Sequence, residues 1–280
     1  MNKVVNDQAD GLRSLMAQHA GNRAPQVIAV VGSGPQVGAS SVVLNLAAAL
    51  VQLGQDVLLL DEHGGLPPGA INGAAAWADV ITRRLPLEAA ASKLSCGAWW
   101  LPASGLDAAT AESDARSAFH GQAILVDAQL DGSGALSALA RQADDVVVVL
   151  RPQAASITAA YSCIKQLHYA HALQQLRIMI NGAADGPDAQ RVAHNLAATG
   201  SRYLGLTVQP AGCIGLDARL AQAQRLKLSV VEAFQTSVAA VDFRRIAAQL
   251  QQWPRRMAAQ PQLPPLAQES SWTAQLLPSY

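Results

Sequence analysis

The chain has 280 residues, half of them hydrophobic and 14% charged, and its 20 basic residues balance 20 acidic ones. That composition supplies a core for one large α/β domain or two small ones, and the missing basic excess argues against a nucleic-acid binder. Cys96, Cys163 and Cys213 are too scattered for a disulfide framework or a metal site, which points to a reducing cytoplasm; the N-terminus has no apolar signal core, and no run approaches the ~18 apolar residues of a membrane span.

Strands and helices alternate from Gln26 onward. The runs at 27–31, 56–61, 98–103, 123–128, 145–150, 176–182 and 203–209 are short, apolar and β-branched, as expected of strands buried on both faces. Helical patterns lie between them, most clearly at 40–53, 154–174, 186–198 and 230–252. This alternation predicts an α/β fold: a doubly wound, mostly parallel sheet with helices on both faces and right-handed crossovers. Residues 1–25 form a separate flank with a short helix over roughly 7–19, residues 26–253 the main domain, and residues 254–280, with five prolines, a mobile tail. Trp99 and Trp100 are adjacent on a strand and face opposite sides, so at least one belongs to the core. His168 and His171 have no third ligand near in sequence and read as surface or packing residues.

The stretch VVGSGPQVGASS (30–41) joins the first strand to the first long helix. Glycines at 32, 34 and 38 let backbone N–H groups turn inward, the helix offers its positive N-terminus, and Ser40 and Ser41 stand where hydroxyls would meet phosphate and Mg²⁺. In the pattern G-x-x-x-x-G-K-[ST], however, Ala39 takes the lysine position and Ser33 that of the first glycine, and Pro35 removes one N–H donor. The lysines of the chain are Lys3, Lys93, Lys165 and Lys227, so none lies in the loop. Losing one charge-assisted hydrogen bond costs roughly 1.5–3 kcal/mol, or about 10- to 100-fold in affinity. Two readings stand: a weakened phosphate cradle built from Gly34, Val37, Gly38, Ala39, Ser40 and Ser41, and a tight strand-to-helix turn without a ligand.

The order of the loop, AILVDA (123–128) and ADDVVVVLRPQAASITAAYSCIKQL (143–167) resembles the deviant-Walker ATPases of the MinD/ParA type. Val37, Gly38 and Ser40 match their K-G-G-V-G-K-[ST] loop, while Gly34 stands at the signature lysine and Ala39 at the second. One branch is closer: DQADGLRSL (7–15) resembles the D-Q-A-x-x-L-R segment of the flagellar-number regulators of the FlhG/FleN type, and the C-terminal half follows the same branch with YLG, an aspartate followed by a basic residue, and S-V-V-E. The resemblance covers roughly residues 7–250.

The resemblance implies a cytoplasmic regulator of flagellum number, placement and assembly, holding ATP or ADP with Mg²⁺. Asp127 would end the Walker B strand and share Mg²⁺ with Ser40. Asp61 matches the first aspartate of the family's D-x-D. His63 stands where the second positions the attacking water, and Glu62 between them normally points elsewhere. With Gly34, Ala39 and His63 each lacking a charge that hydrolysis uses, turnover should be slow or absent. A strand-terminal aspartate also serves as a cap, so that reading of Asp127 stays open. Asn181 matches an adenine-contacting position and equally suits a turn before Gly182. Ser156 is placed to cap the helix after Arg151-Pro152.

The same branch engages FlhF, a GTPase of the signal-recognition-particle type, through its D-Q-A segment, here Asp7, Gln8, Ala9, Leu12 and Arg13. Leu12, Leu15 and Met16 form one apolar stripe, and Gly11 costs the isolated helix about 1 kcal/mol. The implied partners also include flagellar assembly or transcription factors and a second copy of the chain. Peripheral contact with the inner face of the cell membrane is left open, although the tail's prolines spoil a long helix. The alternative is an active MinD/ParA-type ATPase switch that positions cargo, a septum or a secretion machine.

Overall fold

The computed structural model describes residues 24–64, 77–104 and 113–255. One sheet contains β1 (Gln26–Gly32), β2 (Val57–Asp61), β3 (Ser92–Lys93), β4 (Trp99–Pro102), β5 (Ala123–Ala128), β6 (Asp145–Leu150), β7 (Gln175–Ala183) and β8 (Thr207–Gly215), in the order β3-β4-β2-β5-β1-β6-β7-β8. Neighbours pair in parallel except β3 with β4. The helices are α1 (Ala39–Gln52), α2 (Trp77–Ile81), α3 (Leu87–Ala90), α4 (Ala154–His171), α5 (Gly186–Leu204), α6 (Ala218–Arg225), α7 (Val230–Ala233) and α8 (Val238–Leu250). No described helix is long and apolar enough to cross a membrane.

The central strands are apolar without alternation because both faces are covered. In β1, Val27, Ala29 and Val31 join the core that contains Cys163, Ile164 and Leu167 of α4. Ile28 and Val30 point the other way, into the core containing Leu46 and Leu50 of α1 and Phe243 and Ile246 of α8. Each such side chain contributes roughly 1.5–3 kcal/mol of burial. Trp100 enters the second core, and Lys93 lies over the ring of half-buried Trp99.

Connections from β1 and β6, which are neighbours, leave in opposite directions: α1 leads to β2 on one side, α4 to β7 on the other. This is the topological switch point, where an open α/β sheet leaves a crevice beyond its carboxyl edge.

Four element boundaries differ from the sequence reading. The run 203–209 is not one strand: Tyr203 and Leu204 finish α5, Gly205 ends it in the left-handed conformation, and β8 starts at Thr207. β8 accommodates Pro210 because it is an edge strand with a register shift beside it. The 154–174 helix stops at His171, where Ala172 turns left-handed. The 230–252 helix is two helices: Ser229 and Glu232 form a capping box on α7, and Ser237 caps α8 by accepting from the Ala240 N–H.

Candidate functional site: a phosphate-type loop with a buried carboxylate

β1 delivers the loop to the switch point. The Ser33 N–H donates to Val149 O at 2.9 Å, so the loop opens while still tied to β6. Gly38 caps α1 at φ 88°, and no side chain caps the first turn. The helix therefore presents its N-terminus to the cleft. Gly38 is required twice: by its dihedral, and because a Cβ there would sit 2.5 Å from Asn181 Nδ2. Gly34 differs, since a Cβ there would meet nothing within 4 Å.

Asn181, buried at the end of β7, donates from Nδ2 to Val37 O at 2.9 Å. Its amide is a strut under the loop.

The acidic residues separate into three roles. Asp61 and Asp127 are register partners on β2 and β5, and both are fully buried. Asp61 Oδ1 accepts the N–H groups of His63 at 2.9 Å and Gly64 at 3.0 Å, fixing the turn after β2. Glu62 does not point away. It is buried and accepts from the Gln129 N–H at 2.9 Å and from the Ser137 hydroxyl, tying β2 to the segment after β5. Burial pushes its carboxyl up; the Ser137 and Gln129 hydrogen bonds and His63 work against that rise.

Among the described residues no backbone N–H donates to the Asp127 carboxylate, so it caps none of the described elements, and the Ser40 hydroxyl is the neighbouring polar group that acts on it. His63 Nε2 stands 3.9 Å from Oδ1. Burial pushes the Asp127 carboxyl up to about 6; Ser40 and His63 pull it down, while Asp61 and Glu62 push it further up. A buried carboxylate beside the Ser40 hydroxyl is a donor set for a hard divalent cation. The residues present fit Mg²⁺ at this point, although the cations that usually flank it are absent from positions 34 and 39.

One cleft of about 820 Å³ is lined among others by Gly34, Val37, Gly38, Ala39, Ser40, Ser41, His63, Asn181 and Arg151, while Asp61, Glu62 and Asp127 lie buried behind it. Ser156 does not cap α4, whose N-cap is Gln153; its hydroxyl accepts from the Arg151 N–H at 2.9 Å. His168 Nδ1 lies 2.8 Å from Leu173 O, and His171 Nε2 accepts from the Leu136 N–H, so both histidines are committed to packing. Asp7, Gln8, Ala9, Leu12 and Arg13 lie outside the described residues.

Sequence reasoning missed Glu62, Arg151 and Asn45. Asn45 on α1 accepts from the Val230 N–H at 2.7 Å and donates to Ser41 O, bracing the start of the helix against α7. Its partner is 185 residues away, and no local spacing announces it.

A doubly wound sheet, a glycine loop at its switch point and a strand-terminal aspartate beneath that loop define a P-loop nucleotide-binding class of protein. The comparisons agree. No family model matches the chain. The antiactivator FleN of Pseudomonas aeruginosa is 30% identical over 244 residues, covering 82% of this chain and 87% of that protein. MinD of Aquifex aeolicus superposes with a TM-score of 0.63 at 20% identity, covering 84% of this chain and 100% of that one. MinD of Pyrococcus horikoshii, complexed with Mg-ADP, superposes at 0.59 and 18% identity, covering 81% and 96%. The MinD likenesses establish the fold; with the FleN identity, the chain belongs to the FlhG/FleN branch of the MinD/ParA-type family.

Proposed function

We propose that this chain regulates flagellum number and placement from a MinD-like domain that binds nucleotide and hydrolyses it slowly or not at all. The observation carrying this reading is the 30% identity with the antiactivator FleN over most of both chains. In this account the loop backbone from Gly34 to Ser41 cradles the phosphates of ATP or ADP, and Ser40 and Asp127 hold Mg²⁺. Bound Mg²⁺ would neutralise charge on the phosphate oxygens. Asn181 keeps the loop in shape through Val37. Asp61 holds the His63 turn, and His63 lacks the carboxylate that would orient water. Gly34, Ala39 and His63 together explain slow turnover.

The regulatory contact is assigned to the segment with Asp7, Gln8, Ala9, Leu12 and Arg13, which docks on an FlhF-type GTPase. A flagellar transcription or assembly factor and a second copy of the chain are the further partners, in the cytoplasm or at the inner face of the membrane. GTP turnover by the FlhF-type protein should rise with the wild-type chain and not with Gln8→Ala. Absence of binding, or equal stimulation by both, contradicts the docking role.

The orphaned Asp127 carboxylate favours a second reading, an active ATPase switch. Mg-ATP turnover at the rate of an active relative, abolished by Asp127→Ala, would select it.

A further inference from the structure

We propose that Arg151 supplies the phosphate-directed positive charge that lysines at positions 34 and 39 would otherwise supply. The inference rests on the nucleotide-binding reading above and concerns which residue makes it workable.

The fold puts Arg151 in place. β1 and β6 run side by side, with Gly32 opposite Val149. The Ser33 N–H donates to Val149 O, so the chain two residues beyond Val149 flanks the opening of the loop. The crevice at a switch point lies between the loops that follow those two strands. Arg151 is thus the residue that the β6 side contributes where β1 contributes Gly32 to Ser41. Pro152 disfavours helical backbone at Arg151. The Ser156 hydroxyl accepts the Arg151 N–H and holds that conformation. The side chain is exposed, lines the cleft and forms no ion pair among the described residues.

Charge balance within the cleft makes the assignment specific. Its ionisable lining residues are Arg151, His63 and Asp217. The Asp217 carboxylate is occupied, accepting the N–H groups of Arg219 and Ala239. His63 faces Asp127. Among the described residues, Arg151 is therefore the permanent, uncommitted cation of the cleft. A guanidinium also suits the task, since its planar fork binds phosphate oxygens bidentately. Asp127, buried behind the cleft wall next to the lining residue Ala128 and facing His63, independently marks this region as built for a charged ligand with its cation.

The test is equilibrium binding of a fluorescent ADP analogue with Mg²⁺ to the full chain. The panel is wild type, Arg151→Ala, Arg151→Lys and, as a remote charge control, the exposed Arg191→Ala. Thermal unfolding confirms that each is folded. The expected result is saturable wild-type binding, a loss of about 10- to 100-fold for Arg151→Ala, partial recovery with lysine, and no change for Arg191→Ala. Wild-type affinity in Arg151→Ala overturns the inference and leaves nucleotide binding standing. So does an equal loss in Arg191→Ala, which would reflect overall charge. Failure of the folded wild-type chain to bind overturns the nucleotide reading itself, and Arg151 with it.

Discussion

Asn181 at the end of β7 donates a 2.9 Å hydrogen bond to the carbonyl of Val37 in the loop after β1, across 144 residues of sequence. The same amide closes the space above Gly38, where a Cβ would come within 2.5 Å of it. The loop carries no lysine, and Asn181 holds its shape. This pairing separates the shape of the proposed phosphate site from its charge, and the two can be changed independently.

Shape is tested first. Asn181→Ala leaves a buried carbonyl unsatisfied and should cost about 1–3 kcal/mol in urea unfolding. Gly38→Ala should cost more than 1 kcal/mol, since it adds a disfavoured dihedral to the clash. In the double variant the clash is gone, so the combined loss should fall short of the sum. Full additivity would mean that the two residues do not press on each other.

Charge is tested at Asp127. A buried, unpaired carboxylate costs stability while no cation is bound. Asp127→Asn should therefore stabilise the nucleotide-free chain at pH 7.5, by on the order of 1–2 kcal/mol after allowing for the buried amide. The same substitution should abolish the effect of Mg²⁺ on nucleotide affinity in calorimetry. A destabilised variant would show that Asp127 is a structural hub.

Restoring a lysine addresses turnover. Ala39→Lys should raise ADP affinity about tenfold or more, because a charge-assisted bond is regained. In the proposed account Ala39 is one of three positions that slow hydrolysis. Mg-ATP turnover should appear only when Gly34→Lys and His63→Asp are added, and a Cβ at position 34 meets no neighbour within 4 Å. Turnover in Ala39→Lys alone would mean that His63 already positions water.

His171 gives a pH dependence away from the site. Burial and Arg141 hold its imidazole below the usual histidine range, with Asp131 acting the other way. Its Nε2 accepts the Leu136 N–H, which only the neutral ring can do. The folded state thus binds this proton less readily than the unfolded state. The contribution is fully present above the unfolded value, about 6.5, and is lost as pH falls from there through the lower folded value. Urea midpoints should drop between pH 7 and 5 more steeply in the wild type than in His171→Gln.

Much of this was legible in the sequence. Continuous apolar runs such as 145–150 announced strands buried on both faces, and the glycine loop lines a cleft at the carboxyl edge of the sheet. Boundaries failed where a single residue overrides an apolar pattern: Gly205 ended a helix inside the YLG run, and Ser237 started one inside a longer helical stretch. Roles failed where the partner is remote. Glu62 finds Gln129 and Ser137, and Asn181 finds Val37, through the sheet order alone. The role proposed for Arg151 depends on β6 lying beside β1, which no local spacing announces.

The central claim is that the loop still binds nucleotide although its lysines are gone. Calorimetric titration of Mg-ADP into the full wild-type chain tests it directly. Saturable one-site binding that weakens when Mg²⁺ is withdrawn is the predicted result. A folded chain that gives no binding heat at any accessible ADP concentration, with no ADP-dependent rise in melting temperature, would contradict it.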